Sequence, residues 1–123
     1  MTAKQIKVAI TRQLPEPVET RLKELFDVKL YNSPQPMSQN QILDTVRHCD
    51  VLVPTIGDRI DKHVLESTGK NLRLIANYGA GFDNIDINYA KRKGITVTNT
   101  PNVLTEDTAD MAMALILSVP RRI

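Results

Sequence analysis

The chain has 123 residues, of which 41% are hydrophobic, and a chain of this size can bury one domain-sized core. Sixteen Lys and Arg residues against fourteen Asp and Glu residues leave a net charge of +2 with both signs interleaved, so the composition predicts no nucleic-acid binding. The first residues lack the apolar stretch of a signal peptide, and no apolar run approaches the roughly 20 residues that span a bilayer, so no membrane partner is predicted.

Short apolar segments alternate with segments of helical periodicity along most of the chain. We predict strands at 6–10, 28–31, 50–54, 72–76 and 95–98. Between them we predict a helix opened by Pro15 and Pro17, a helix capped by Ser38 after a loop at 33–38 that contains Pro34, a helix from Asp61 to a stop at Gly69, and a helix at 86–93 ended by Gly94.

This alternation predicts an α/β fold with a parallel sheet, because parallel strands need crossover connections and right-handed crossovers place helices on both faces of the sheet. The order of elements resembles that of flavodoxin-like and receiver-like modules. A receiver is disfavoured, since the first and third strands end in Thr11-Arg12 and Pro54-Thr55 and supply no acidic pocket.

A long helix is predicted from Thr105, where Thr105 and Thr108 resemble a capping box and two acidic residues fall in the first turn. From Ala109 to Val119 the helix is apolar around most of its circumference. Such a helix is normally buried on several sides, and nothing downstream in this chain would cover it. The pattern therefore predicts a further partner, either a second domain or a second subunit.

Gly79-Ala80-Gly81 follows the fourth predicted strand, at the edge where open α/β sheets bind ligands. Consecutive backbone amides in such a turn can bind a carboxylate or a phosphate. The alternative is a tight turn in which the glycines only supply positive backbone angles. Asn77 and Tyr78, directly before the turn, either line a ligand cleft or pack its wall. Asn84 occupies the third glycine position of a dinucleotide fingerprint, so no G-x-G-x-x-G is present.

Other polar residues are assigned structural roles. Asp83, Asn84 and Asp86 are predicted to cap and start the helix at 86–93 rather than to bind metal. His48 and His63 have no nucleophile or paired carboxylate at a useful spacing and are interpreted as solvated or structural. A metal site is not predicted. The single cysteine, Cys49, indicates a reducing compartment, and the cytoplasm is the default expectation.

The block from Arg73 to Arg122 contains Gly-Ala-Gly-Phe-Asp-Asn-Ile-Asp at 79–86 and Asn-Thr-Pro-Asn-Val-Leu-Thr-Glu-Asp-Thr-Ala-Asp at 99–110. Together with the apolar helix and its Pro-Arg-Arg end, this block resembles the D-isomer-specific 2-hydroxyacid dehydrogenases over about fifty positions in register. Within that family the two motifs are most similar to the glyoxylate and hydroxypyruvate reductase branch.

The resemblance implies that residues 1–104 are the first part of an incomplete substrate domain, and that 105–123 link it to a nucleotide-binding Rossmann domain missing from this chain. It implies that the amides of Ala80 and Gly81 hold the substrate carboxylate. Ala80 and Thr108 are expected beside the nicotinamide of NAD or NADP, which the sequence does not distinguish. The apolar helix, over 105–119, is expected at a homodimer interface.

The parent protein is accordingly expected to reduce a 2-keto acid, such as glyoxylate or hydroxypyruvate, to the D-2-hydroxy acid. The family's catalytic arginine, glutamate and histidine come later in its sequences, so no catalytic residue is assigned here and this chain alone is expected to be inactive. Two alternatives stay open at this point: a non-enzymatic interaction protein on the same scaffold, like the transcriptional corepressors that resemble these dehydrogenases, and a free-standing flavodoxin-like binding module.

Overall fold

The structure, a computed structural model, describes residues 5–33 and 35–123, so residues 1–4 and Pro34 lie outside it. Within that part of the chain, five strands alternate with five helices, as predicted. The strands are β1 (Lys7–Ile10), β2 (Asp27–Lys29), β3 (Val51–Val53), β4 (Leu74–Ala76) and β5 (Thr96–Thr98). The helices are α1 (Glu16–Leu25), α2 (Gln39–Thr45), α3 (Lys62–Glu66), α4 (Ile87–Arg92) and α5 (Thr105–Arg121).

The strands form one parallel sheet in the order β2-β1-β3-β4-β5. The chain moves outward from β1 to β2, then returns across β1 to β3 and continues in the same direction. Right-handed crossovers made in opposite directions lie on opposite faces of a sheet, so α1 covers one face and α2, α3 and α4 cover the other. The predicted flavodoxin-like α/β architecture is therefore confirmed.

The main hydrophobic core lies between the sheet and helices α2, α3 and α4. Ala9, Leu52 and Ile75, at the centres of three neighbouring strands, point into it and are almost fully buried. Val8 and Ile10 alternate with Ala9 and are buried on the other face. Alternation along each strand thus supplies both layers, as expected for a sheet with helices on both faces.

Side-chain caps begin three of the helices. Ser38 accepts a hydrogen bond from the amide of Gln41, whose side chain accepts from the amide of Ser38, which makes a complete capping box. Asp61 and Asp86 cap α3 and α4 through the amides three residues further on. The predicted capping box at Thr105 is wrong: Leu104 occupies the N-cap position of α5 and no side chain caps it.

The two predicted helix stops have different outcomes. Gly94 follows Lys93, the C-cap of α4, and adopts φ +72°, a left-handed conformation that glycine adopts without a steric penalty. Gly69 does not end α3, which already ends at Glu66. Its role is close packing, because a Cβ at this position would lie 2.5 Å from the carbonyl oxygen of Arg47.

Helix α5 has no extensive contact with another described helix or strand, and none of its 17 residues is buried. The apolar side chains Met111, Leu115 and Ile116 are each about 60% exposed. None of the described helices is both long and apolar enough to cross a membrane. The structure therefore leaves a large apolar helix surface open, as the sequence pattern indicates for this chain alone.

The thiol of Cys49 is buried at the edge of the core, 4% exposed. Burial, reinforced by the negative charge of Asp50, raises its pKa from 9.0 to about 11. Since the folded pKa exceeds the unfolded one, the contribution of this group to stability is complete below pH 9 and is lost as the pH rises towards 11.

We expect the Cys49 thiol of the folded chain at pH 8 to react with a disulfide reagent at least about 100-fold more slowly than in denaturant. Equal rates in the two states would contradict this burial.

Candidate functional site

An open cleft of about 530 Å³ lies at the carboxyl edge of the sheet, where parallel α/β sheets bind ligands. It is formed by the loops that follow β1, β3 and β4 and by the segment before α5. Its lining residues are Arg12, Thr55, Ile56, Tyr78, Gly79, Ala80, Gly81, Thr100, Val103 and Leu104. The cleft is largely apolar and, among these lining residues, contains no carboxylate.

The Gly79-Ala80-Gly81 turn is held by its carbonyl groups. The amide of Thr100 donates to the carbonyl of Gly79 at 3.0 Å, the side chain of Asn99 to that of Ala80 at 2.8 Å, and the side chain of Asn77 to that of Gly81 at 2.8 Å. The amides of Ala80 and Gly81 donate to no described residue. Two adjacent donors are therefore free at the wall of the cleft.

The two glycines of the turn are needed for different reasons. A Cβ on Gly79 would collide with the side chain of Ile56, whereas a Cβ on Gly81 would meet nothing within 4 Å. Neither has a positive φ, so the alternative of a turn that requires left-handed glycines is wrong. Gly79 permits close packing, while Gly81 keeps the space beside its own amide open.

Asn77 lies behind the turn, 2% exposed, and does not line the cleft. Its side chain binds the carbonyl of Gly81, and its oxygen accepts from Asn84 at 3.3 Å. The side-chain amide of Asn84 also donates to the carbonyls of Thr55 and Asp58, both at 3.1 Å. The structure therefore gives Asn77 a positioning role instead of the considered ligand contact, and Asn84 joins the loops after β3 and β4 instead of capping α4.

A buried carboxylate beneath the cleft had no distinctive sequence signal. Asp58 is 2% exposed, and its Oδ2 accepts from the hydroxyl of Thr11 at 2.5 Å, and from the amide and hydroxyl of Thr55 at 2.7 and 3.0 Å. Its Oδ1 is buried and has no partner among the described atoms. Asp58 thereby joins the end of β1 to the loop after β3.

Of the other residues considered as site candidates, Tyr78 lines the cleft, whereas Thr108 and both histidines do not. Tyr78 lines the cleft and is half-exposed, which leaves it available to a ligand. Thr108 lies in the first turn of α5, is exposed and does not line the cleft, so its contact with a cofactor stays a prediction. His48 and His63 are exposed and do not line the cleft. The described residues contain no group of three or more His, Cys, Asp or Glu side chains placed to hold a metal ion.

The turn does not fit the pyrophosphate of a dinucleotide. Such a phosphate needs free amides at the start of the helix that follows the glycines. Here α4 begins several residues after Gly81, and the Asp86 carboxylate already caps it by accepting from the amide of Tyr89 at 2.9 Å. The carboxylate would also repel a phosphate. The turn therefore provides no site for a pyrophosphate.

A sequence model of the catalytic domain of D-isomer specific 2-hydroxyacid dehydrogenases matches residues 8–114. The chain belongs to this family. The glyoxylate reductase of Thermococcus litoralis is 46% identical over 117 residues, which cover 95% of this chain and 35% of that protein. The chain thus spans about a third of the length of such relatives.

Solved structures agree with the assignment. A crystal structure of a protein from Thermus thermophilus has a TM-score of 0.84 at 40% identity and covers 95% of this chain and 37% of that one. The NADPH-dependent glyoxylate/hydroxypyruvate reductase of Sinorhizobium meliloti, in complex with NADP and malonate, has a TM-score of 0.68 at 26% identity over 92% of this chain and 34% of that one. The family resemblance and the fold predicted from the sequence are confirmed.

Proposed function

We propose that this chain supplies the carboxylate-binding site of a D-2-hydroxyacid dehydrogenase that reduces small 2-keto acids of the glyoxylate or hydroxypyruvate type. The observation that carries the proposal is the pair of free amides, Ala80 and Gly81, in a cleft without a lining carboxylate. Two amides aimed at one anion bind a carboxylate without a cationic side chain. The substrate would then lie with its C1 end against the turn.

Fixing the carboxylate in this way orients the keto carbon for reaction, which is the contribution that positioning makes to catalysis. The rigid support comes from Asn77, Asn84 and Asn99, whose hydrogen bonds hold the turn from behind. We assign no proton donor to this chain. Its role is to bind and orient the substrate.

The cofactor proposed for this reaction is NAD or NADP, whose reduced form supplies a hydride when bound. Ala80, Val103 and Leu104 offer an apolar wall that fits the nicotinamide end, whereas the α4 start capped by Asp86 does not fit the pyrophosphate. The phosphate-binding loop is therefore assigned to a Rossmann domain that follows the substrate domain at 1–104. In this arrangement 105–123 form the link, and Thr108 faces the cofactor.

We also propose that the apolar surface of α5 forms a homodimer contact over 105–119. The support is its exposure, since no side chain of the described chain covers Met111, Met113, Leu115 or Ile116. Contiguous apolar surfaces of this kind mark protein interaction sites.

The carboxylate site is tested on the ¹⁵N-labelled chain by titration with glycolate, the hydroxy acid formed from glyoxylate. We expect the amide signals of Ala80 and Gly81 to shift most and to saturate, because charge-assisted hydrogen bonds perturb amide protons strongly.

Gly81→Val should weaken glycolate binding at least about tenfold, since the valine side chain would occupy the anion position. Stability should change by no more than about 0.5 kcal/mol, because a Cβ at this position has open space.

Phe82→Ala is the matched control, because Phe82 is adjacent to the turn, half-exposed and absent from the cleft lining. It should bind glycolate like the wild type. Shifts scattered over the surface, or glycolate affinity unchanged in Gly81→Val, would reduce the turn to a structural feature and refute the proposal.

A further inference from the structure

Arg12 is the one charged residue among those that line the cleft. It follows the buried Thr11 at the end of β1, and its Nη2 lies beside Gly57, 3.5 Å from where a Cβ would be. It forms no ion pair or hydrogen bond with any described residue. The nearby buried carboxylate of Asp58 accepts through its Oδ2 from Thr11 and Thr55 and forms no ion pair with Arg12. The cleft therefore contains a guanidinium with no partner among the residues that the structure describes.

Arg12 and the two free amides come from different loops of the cleft. Arg12 follows β1 and the amides follow β4, with β3 between them in the sheet. Two strand spacings amount to about 10 Å. A three-carbon acid that accepts a hydrogen bond at each end spans a distance of this order, so it can reach from the amides towards Arg12.

The other lining groups leave few alternatives for the far end of such a molecule. Ile56, Val103 and Leu104 bear no polar side-chain atoms, and the hydroxyl of Thr55 already donates to Asp58. Tyr78 and Thr100 belong to the amide side, next to the glycine turn. A guanidinium presents several donors in a planar fork and binds carboxylate or hydroxyl oxygens.

We infer that Arg12 is a specificity-determining residue that binds the oxygen-bearing group on C3 of the substrate, a carboxylate or a hydroxyl, while Ala80 and Gly81 hold C1. This inference rests on the proposed function and deepens it. It favours three-carbon acids with a polar C3 over glyoxylate, which has no C3. Arg12 acts on binding and selection and takes no part in hydride or proton transfer.

The test compares two stable hydroxy acids on the ¹⁵N-labelled chain: glycolate, which lacks C3, and hydroxymalonate, which has a C3 carboxylate. Wild type should bind hydroxymalonate at least about tenfold more tightly, because a charge-assisted pair adds to the same C1 contacts. Arg12→Gln should lose about this factor for hydroxymalonate and less than twofold for glycolate. Because Arg12 is exposed, the variant should keep the dispersed spectrum of a folded chain.

Arg59→Gln is the control for net charge, since Arg59 is exposed, pairs with Asp61 at 3.0 Å and does not line the cleft. It should keep both affinities within twofold. If Arg12→Gln loses equal affinity for the two ligands, or loses affinity for neither, the role of Arg12 is overturned. The proposed function still stands in that case, provided that glycolate binds at Ala80 and Gly81. If neither acid shifts those amides, the proposed function fails and this inference fails with it.

Discussion

Replacement of Asp58 by alanine is expected to lower the free energy of unfolding by about 2–4 kcal/mol, although the residue carries no apolar surface. Its Oδ2 accepts three hydrogen bonds from Thr11 and Thr55, and both partners are buried. Truncation would leave the amide and the hydroxyl of Thr55 without their acceptor, and would leave the Thr11 hydroxyl only the carbonyl of Val53 at 3.3 Å. The cost of unsatisfied buried donors exceeds the modest net gain from forming the same bonds.

Urea denaturation of the wild type and the variant measures this change. Asp58→Asn should lose less, about 1–2 kcal/mol, because its carbonyl oxygen still accepts while the charge-assisted component is lost. Asp83→Ala, which removes an exposed carboxylate from the neighbouring loop, is the control and should change stability by less than about 0.5 kcal/mol. Equal stabilities for Asp58→Ala and Asp83→Ala would show that the buried network contributes nothing.

The Asp58 variant should also affect the cleft. Asp58 holds Thr55 in place, and the carbonyls of both Thr55 and Asp58 accept from Asn84, which supports Asn77 behind the glycine turn. Glycolate binding by Asp58→Ala should therefore weaken even at temperatures where the variant stays folded. This effect separates a carboxylate that positions the site from one that only stabilises the fold.

Introducing two carboxylates into α5, with Leu115→Asp and Ile116→Asp, is expected to abolish self-association of the chain. The two side chains are 59% and 63% exposed and contact no core residue, so the double variant should remain folded. Burial of several hundred square ångströms of apolar surface, at roughly 25 cal/mol for each, amounts to several kcal/mol of association free energy. Two buried charges would cancel it.

Sedimentation velocity at micromolar concentration measures the association, and a thermal melt reports on folding. Asn71→Asp with Asn88→Asp adds the same charge at positions away from α5 and should leave the oligomeric state unchanged. A wild-type chain that is already monomeric would refute the homodimer contact. Unfolding of the α5 variant would mean that the helix belongs to the core of this domain and that the boundary near Thr105 is wrong.

Local patterns in the sequence were sufficient for the secondary structure and the fold class. Period-two and period-3.6 apolar spacings predicted five strands and five helices, and the alternation implied a parallel sheet. The caps at Ser38, Asp61 and Asp86 were also predictable, because a cap and its amide are three residues apart. The predicted cap at Thr105 was wrong, because Thr105 is already the first residue of the helix and Leu104 occupies the N-cap position before it.

The sequence predicts an anion site at the glycine turn from its place after the fourth strand, and the amides of Ala80 and Gly81 stay the proposed donors. The neighbouring residues that support these amides were not predictable from the sequence. Asn77 precedes the turn closely in sequence, yet its side chain lies behind the turn. The backbone amide of Asn77 donates to the carbonyl of Thr98 in β5, and this pairing places the residue in the interior.

The tertiary structure alone decided which distant residues complete the site. Asp58 meets Thr11 across 47 positions, and Asn84 meets the carbonyl of Thr55 across 29. Arg12 shares a cleft with Gly81 because the order β2-β1-β3-β4-β5 brings the ends of β1 and β4 to one edge. Sequence periodicity records which face a residue occupies within its own element, whereas the order of strands depends on the packing of the whole chain.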